Sequence, residues 1–484
     1  MFNEANAVEE FVRDLLSGHA GSSKFKVLAE RRSHYAVPGE PQGPAHWEPM
    51  AGADLQRATK DVLIDSDLRL ALINLNPEIA AKPELADEVI YKLRAPILGV
   101  RSDGLVRSNE ALMEWLRGEH TMPFGPNGEH TPIRLIDFDQ PHNNRYVVAN
   151  QVTFVSGKIP RRFDLVLYVN GIPVVVGEAK TPTREAVTWV DGADDIYSIY
   201  EPEVPEFFAP NVFSFATDGK EFRFAAIGTP LEWWAPWRTD EDGALAGLGE
   251  VERAVASMLR PAVVLDILQN FTLYATDKQH RKVKVICRYQ QYETANQIVQ
   301  RVVEGQIKKG LIWHFQGSGK SLLMVFAAQK LRLHPALKNP TVLIVVDRID
   351  LDTQITATFN ATDVPNTVTT ESRAELQSLL AQDVRKVVIT TIHKFGEASG
   401  VLNARSNIIA MVDEAHRTQE GDLGRQMRQA LPNAFLFGLT GTPINSRDRN
   451  TFWTFGAEED EHRYMSRYSL SLIHISEPTR QAEI

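Results

Sequence analysis

Three short stretches carry side chains whose types and spacing can do chemistry. In PRRFDLVLYVNGIPVVVGEAKTP, which begins at Pro160, Asp164 is followed fourteen positions later by Glu178, and Lys180 stands two residues beyond it. Two carboxylates on neighbouring strands can hold Mg2+ through oxygen ligands, and a lysine on the same strand face can orient or activate a water. That is the chemistry of metal-dependent phosphodiester hydrolysis. In WHFQGSGKSLLMVFAAQKL, an apolar strand runs into Gly317-Ser318-Gly319-Lys320-Ser321 and then into a helix. Glycines let backbone N–H groups turn around a polyphosphate, Lys320 neutralises its terminal oxygens, Ser321 ligates Mg2+, and the helix N-terminus adds its dipole. Third, the run Ile408–Val412 ends in Asp413-Glu414-Ala415-His416. An acidic pair at the carboxyl end of a parallel strand is where metal and attacking water are held, Asp413 for the metal and Glu414 for the water.

Each stretch also has a plainer reading. The first is a surface hairpin with scattered charges, the second an ordinary glycine-rich turn, the third a helix N-cap. The second also departs from the strict phosphate-loop pattern, with His314 where a glycine is expected. The phosphate loop and the acidic pair support each other, because two independent motifs of one chemistry stand in one chain. The hairpin is strengthened by Val174–Val176, whose continuous apolar run marks a strand buried on both faces. Burial makes an unpaired Glu178 or Lys180 costly unless they share a metal or each other.

Positioning the first set depends on register. A two-residue turn at Asn170-Gly171 alone sets Gly177 opposite Asp164 and turns Glu178 to the other face. A three-residue loop, or a compensating bulge, sets Asp164 opposite Glu178 with Lys180 on the same side. The chemistry therefore predicts one of these two devices.

Around these motifs the chain reads as α/β. Residues 1–20 have helical periodicity, 52–76 are partly helical, and Ile133 to Lys180 turns to strands. The stretch 228–248, rich in Gly, Pro, Trp and acid, marks a boundary, giving domains at 1–245 and 246–469. From about 285, strands at Leu311–His314, Thr341–Val346, Lys386–Thr390, Ile408–Val412 and Ala434–Leu439 alternate with helices, the pattern of a doubly wound parallel sheet.

The 484 residues allow two to four domains, and 43% hydrophobic with 24% charged residues excludes a disordered chain. No apolar run approaches the ~18 residues of a membrane helix. The lone Cys287 excludes a disulfide framework and a multi-cysteine metal site, which points to a reducing cytoplasm. The net charge of -10 is unevenly spread: residues 185–250 hold 14 acidic against 3 basic side chains, and 251–320 hold 11 basic against 5 acidic. Local potential governs nucleic-acid binding, so overall acidity does not exclude it.

The order GSGKS, DEAH and Gly438–Pro443 (GLTGTP) resembles the first RecA-like lobe of a superfamily 2 helicase or translocase. The resemblance implies that Gln291, in RYQQYETA, reads the adenine of ATP; that Gly317, Ser318, Gly319, Lys320 and Ser321 bind its phosphates with Mg2+; and that His416 couples hydrolysis to movement. It also makes Asp347-Arg348 and Thr390–His393 strand-contacting motifs. The Asp164, Glu178, Lys180 spacing resembles the PD-(D/E)xK endonuclease fold, whose fourth acidic ligand often lies on the first helix, with Glu10 as the candidate and Glu9 its rival. Related nucleases carry QxxxY downstream; Tyr200 fits the tyrosine, but Ile196 holds the glutamine position.

In this order, nuclease then motor, the chain resembles the restriction subunit of type I restriction–modification enzymes up to about Ser469. NVFSFATDG, RPAVVLDILQNFTLY and VDEAHRTQEGDLG strengthen the likeness. It implies double-stranded DNA as substrate, pulled past the complex by ATP hydrolysis and cut at a distance. Specificity and methyltransferase subunits would recognise the site. A stand-alone superfamily 2 nuclease or repair helicase is the alternative, and an assembly subunit with one decayed site a third. Residues 470–484 resemble translated library-preparation adapter, so we expect a C-terminally truncated fragment whose second motor lobe is missing.

Overall fold

A computed structural model describes residues 7–18, 39–181, 187–237, 248–277, 279–346, 357–360, 362, 366–395, 400–416, 423–444 and 451–468. Asp347-Arg348, the boundary at 245/246 and the 470–484 tail lie outside these residues.

Two sheets carry the motifs. The first runs in the order β1 (Glu48–Ala51), β4 (Tyr146–Ser156), β5 (Ile159–Val169), β6 (Ile172–Ala179), β7 (Phe213–Thr217), β8 (Phe222–Ala225), after a small separate hairpin of β2 (Thr121–Met122) and β3 (Thr131–Pro132). It is mixed: β4, β5 and β6 are antiparallel neighbours, while β6 pairs parallel to β7. Every residue of β6 is buried, Glu178 included, as the apolar run Val174–Val176 leads one to expect of its strand. The helix Ala7–Ser17 packs across β4, β5 and β6, and the helix Trp189–Asp194 packs on β6 and β7.

A two-stranded ribbon, β9 (Thr272–Thr276) with β10 (Lys282–Ile286), leads to the second sheet. That sheet contains β11 (Lys309–His314), β12 (Thr341–Val346), β13 (Thr367–Thr369), β14 (Val387–Thr391), β15 (Ile408–Val412), β16 (Phe435–Thr440) and β17 (Ser466–Tyr468). Its order is β13-β14-β12-β15-β16-β11-β17 and all its pairings are parallel. Alternate residues of β12 feed different cores: Val342, Ile344 and Val346 join one apolar cluster, Leu343 and Val345 another. Both faces are therefore covered, as a doubly wound sheet requires. The first cluster runs without a break into the core of the β1–β8 sheet through the helix Pro261–Asn270. The two sheets thus share one continuous apolar core.

Candidate active sites

The β5–β6 hairpin resolves the register question with the bulge, not the longer loop. Asn170 and Gly171 have φ of 49° and 80°, the left-handed values of a tight two-residue turn. Val169 pairs with Ile172 and Tyr168 with Pro173, but Leu167 then pairs with Val175, leaving Val174 as the extra residue of a bulge. Beyond it Leu165 pairs with Gly177, so Asp164 comes level with Glu178. The backbone N–H of Asp164 lies 3.4 Å from Glu178 Oε1, and the N–H of Ala179 donates to Asp164 Oδ2 at 3.0 Å. Lys180 Nζ stands 3.4 Å from Glu178 Oε2. The three side chains are together.

Their electrostatics follow from burial. Glu178 is 2% exposed, and burial with the neighbouring Asp164 charge pushes its carboxyl well above the usual range, opposed by Lys180. Burial alone would pull Lys180 down, yet Glu178, Asp195 and Asp164 outweigh it and hold its ammonium up. Among the described residues no three His, Cys, Asp or Glu side chains are grouped to hold a metal ion. The two-carboxylate donor set nonetheless fits Mg2+. Glu178 is a desolvated carboxylate beside a second one, and a hard cation would relieve that repulsion.

Of the two candidate acids on the first helix, Glu10 and its rival Glu9, it is Glu9 that adjoins Asp164. Glu10 is exposed, whereas Glu9 is 4% exposed and faces the site. Asn150 Nδ2 donates to Glu9 Oε1 at 3.2 Å, and Gln151 Nε2 donates to Glu9 Oε2 at 2.5 Å and to Asp164 Oδ1 at 3.2 Å. Burial, then the Asp164 charge, raises the Glu9 carboxyl. The signal was present: Glu9 shares its helix face with Val12 and Leu16, both buried, and Glu10 does not. Gln151, with φ of 55°, carried no such signal. Tyr200 does reach this neighbourhood. Its ring packs edge-on against Phe163 at 5.3 Å, and burial with the charges of Glu178, Asp195 and Asp164 raises its phenol.

In the second sheet, β11 ends at His314 and the helix Lys320–Leu333 begins at Lys320. Gly317 and Gly319 have φ of 89° and 81°, a region that favours glycine, so the loop closes as its sequence predicts. His314 occupies the departing position because its side chain turns inward. Its Nε2 lies 2.8 Å from Ser466 Oγ and 3.3 Å from Thr294 Oγ1, and burial, then Lys320, lowers it to about 3, which keeps it neutral. Lys320 Nζ donates to the carbonyls of His314 and Phe315 at 3.4 and 3.3 Å. Gln291 accepts from the Arg288 N–H at 2.9 Å and donates to the Gly319 carbonyl at 3.1 Å, tying its helix to the loop. Ser321 is half-buried in the helix's first turn.

The acidic pair follows β15, and β16 alone separates that strand from β11. Asp413 is 7% exposed, and burial raises its carboxyl to about 6, with Lys320 opposing and Glu414 reinforcing. Two buried polar atoms here have no hydrogen-bond partner, Ser318 Oγ and Asp413 Oδ1. Such orphans are expensive unless something else binds them, and a nucleotide with its cation has the matching chemistry. Glu414 has φ of 46°, a strained value for a non-glycine residue. His416 Nδ1 lies 2.8 Å from Thr440 Oγ1 and 3.2 Å from Glu414 Oε2, joining the end of β16 to the acidic pair. Thr390 is bonded by Thr370 Oγ1 at 2.9 Å.

The architecture is thus α/β throughout, a mixed sheet bearing two carboxylates and a lysine followed by a seven-stranded parallel sheet like a helicase RecA-like lobe. Residues 40–233 match the family described as type I restriction enzyme R protein N terminus, and residues 290–472 match the SWI2/SNF2 ATPase family. The chain thus carries the N-terminal region of a type I restriction enzyme R protein followed by a SWI2/SNF2 ATPase region. The type I restriction enzyme HindI endonuclease subunit of Haemophilus influenzae is 35% identical over 463 residues, covering 88% of this chain and 42% of that protein. A Methanocaldococcus jannaschii protein assigned as the MjaIXP endonuclease subunit is 29% identical over 428 residues, covering 82% of this chain and 40% of that protein. The chain therefore spans about two fifths of the length of these relatives. No helix among the described residues is long and apolar enough to cross a membrane.

Proposed function

We propose that the chain carries both working sites of a restriction subunit, with a nuclease domain at 1–245 and the first motor lobe at 246–469. The nuclease would hydrolyse phosphodiester bonds of double-stranded DNA, with Asp164 and Glu178 holding Mg2+ and Lys180 orienting the attacking water. The motor would bind ATP, with Gln291 on the adenine, Gly317 to Ser321 on the phosphates, Asp413 with Ser321 on Mg2+, Glu414 on the water and His416 relaying hydrolysis. Mg2+ bound at the carboxylates supplies Lewis acidity and a more acidic water. The protein's own part is to keep the donors dry, opposed and fixed. Specificity and methyltransferase partners would supply sequence recognition, and the cytoplasm is the compartment that suits one buried cysteine and a DNA substrate.

One observation carries this reading: the Val174 bulge, which brings Asp164 level with Glu178 beside Lys180 across a turn that otherwise opposes it. A surface hairpin with scattered charges has no use for that correction. The test is Asp164→Ala in the full-length subunit assembled with its partners. We expect DNA cleavage to vanish while DNA-dependent ATP hydrolysis continues. Unchanged cleavage would overturn the nuclease assignment.

A further inference from the structure

Lys180 has a second carboxylate partner that no motif names. Its ammonium forms an ion pair with Asp195 Oδ2 as well as with Glu178. Asp195 opens a π-helical turn, Asp195–Tyr200, that continues the helix Trp189–Asp194 without a break. A π-turn winds an additional residue into each turn and recurs at functional sites. Counting back from Tyr200, an ordinary helix brings Ile196 to the same face, whereas the wider turn brings Asp195. Ile196 is accordingly wholly buried, and Asp195 meets Lys180.

A second observation concerns how closely this segment lies on the site. A Cβ added to Gly192 would stand 3.2 Å from Glu178 Cβ, 3.4 Å from Ala216 Cβ and 3.5 Å from Lys180 Cε. The helix backbone therefore rests close on β6 and β7, where a methyl group would already be tight and a larger side chain would have to displace its neighbours. Its start is fixed by a capping box, Val190 N–H to Thr188 Oγ1 at 3.3 Å and Thr188 N–H to Asp191 Oδ2 at 2.8 Å. The Trp189 N–H also donates to Asp218 Oδ2 at 3.3 Å.

We infer that Asp195 is a positioning residue for Lys180, delivered by the π-turn and by the close seat that Gly192 allows. This rests on the nuclease reading above. Asp195 takes the closer share of the ammonium, so that Lys180 stands beside the cation-holding carboxylate at 3.4 Å without closing onto it. Without Asp195, Lys180 loses its nearer counter-charge and its ammonium swings toward solvent.

The test uses the full-length subunit in its assembled complex, with cleavage of plasmid DNA in Mg2+ and with mass-spectrometric labelling of Lys180 by acetic anhydride. Asp195→Ala should lower the cleavage kcat by on the order of a hundredfold, the scale of a small misplacement, with KM for DNA unchanged. Asp195→Glu should restore most of the rate, and Gly192→Val, which pushes the segment off β6, should reproduce the loss. Lys180 labelling should rise several-fold in Asp195→Ala at constant thermal stability. Full cleavage and unchanged labelling in Asp195→Ala would overturn the inference, as would failure of Asp195→Glu to recover. If Asp164→Ala also cleaves normally, it is the nuclease reading that falls, and the labelling still decides whether Asp195 holds Lys180.

Discussion

Lys330, on the phosphate-loop helix, donates to both oxygens of Asp266 at 2.7 and 2.6 Å and to Asn296 Oδ1 at 2.6 Å. Asp266 belongs to the helix Pro261–Asn270 that leads into the β9–β10 ribbon, so this pair bolts the ribbon's root to the helix that follows the phosphate loop. Both side chains are nearly sealed from water, at 8% for Lys330 and 0% for Asp266. Asp266→Ala strands a buried ammonium and should cost about 3–5 kcal/mol, read as a lowered urea midpoint. Asp266→Leu with Lys330→Met should recover much of that loss, because the double variant buries no charge.

Glu9 and Glu10 offer a paired contrast on one helix. Glu9→Gln removes a carboxylate that shares Gln151 with Asp164, and should weaken Mg2+ dependence of cleavage by about 10-fold or more. Glu10→Gln removes an exposed charge and should leave the Mg2+ titration where it was.

Thr440 and His416 connect the end of β16 to the acidic pair. Thr440→Val keeps the shape and deletes the hydroxyl. One lost hydrogen bond of about 1 kcal/mol predicts a roughly five-fold fall in DNA-stimulated ATP hydrolysis, with ATP binding itself intact. Equal loss of binding and turnover would instead make the contact a support for the phosphate loop.

Glu201 is buried, accepting the Gly228 N–H at 2.8 Å, and burial raises its carboxyl to about 8, with Gly228 and Lys284 opposing. Folded Glu201 keeps its proton where the unfolded chain, with an ordinary carboxyl, has lost it. Its stabilising contribution is therefore complete below about pH 4.5 and falls as pH rises to about 8, by up to ~1.4 kcal/mol per unit. Glu201→Gln should flatten that decline, so thermal melts of variant and parent should diverge from pH 5 to pH 8 in the variant's favour. Parallel melting curves would show that Lys284 compensates for the charge.

Much of this fold is legible because strand burial writes itself into composition. Thr341–Val346 and Ile408–Val412 match the expected strands at both ends, since each is a short, largely apolar run sealed on both faces. The hairpin's need for a register correction was also legible, because Asp164 and Glu178 fit one face only under that condition. The choice between a longer loop and a bulge was not, since Asn170-Gly171 and Val174 are compatible with either. The neighbourhood of Lys180 was less open still. Asp195 comes to it through a π-turn, and no local propensity distinguishes a π-turn from an α-turn in DDIYSIY. His314 likewise becomes intelligible only through Thr294 and Ser466, which lie far away in sequence.

The extra residue in β6 has a consequence for how this hairpin can vary. Turn length and bulge together fix the parity of the pleat, and only their total decides which face Glu178 presents. One residue moved from the bulge into the turn leaves the chain length and the carboxylate pairing unchanged. A single insertion or deletion on either side of the turn, with the bulge kept, inverts the strand. Relatives that retain the carboxylate pair should therefore differ here by compensated exchanges, a three-residue turn with a straight strand or a two-residue turn with a bulged one.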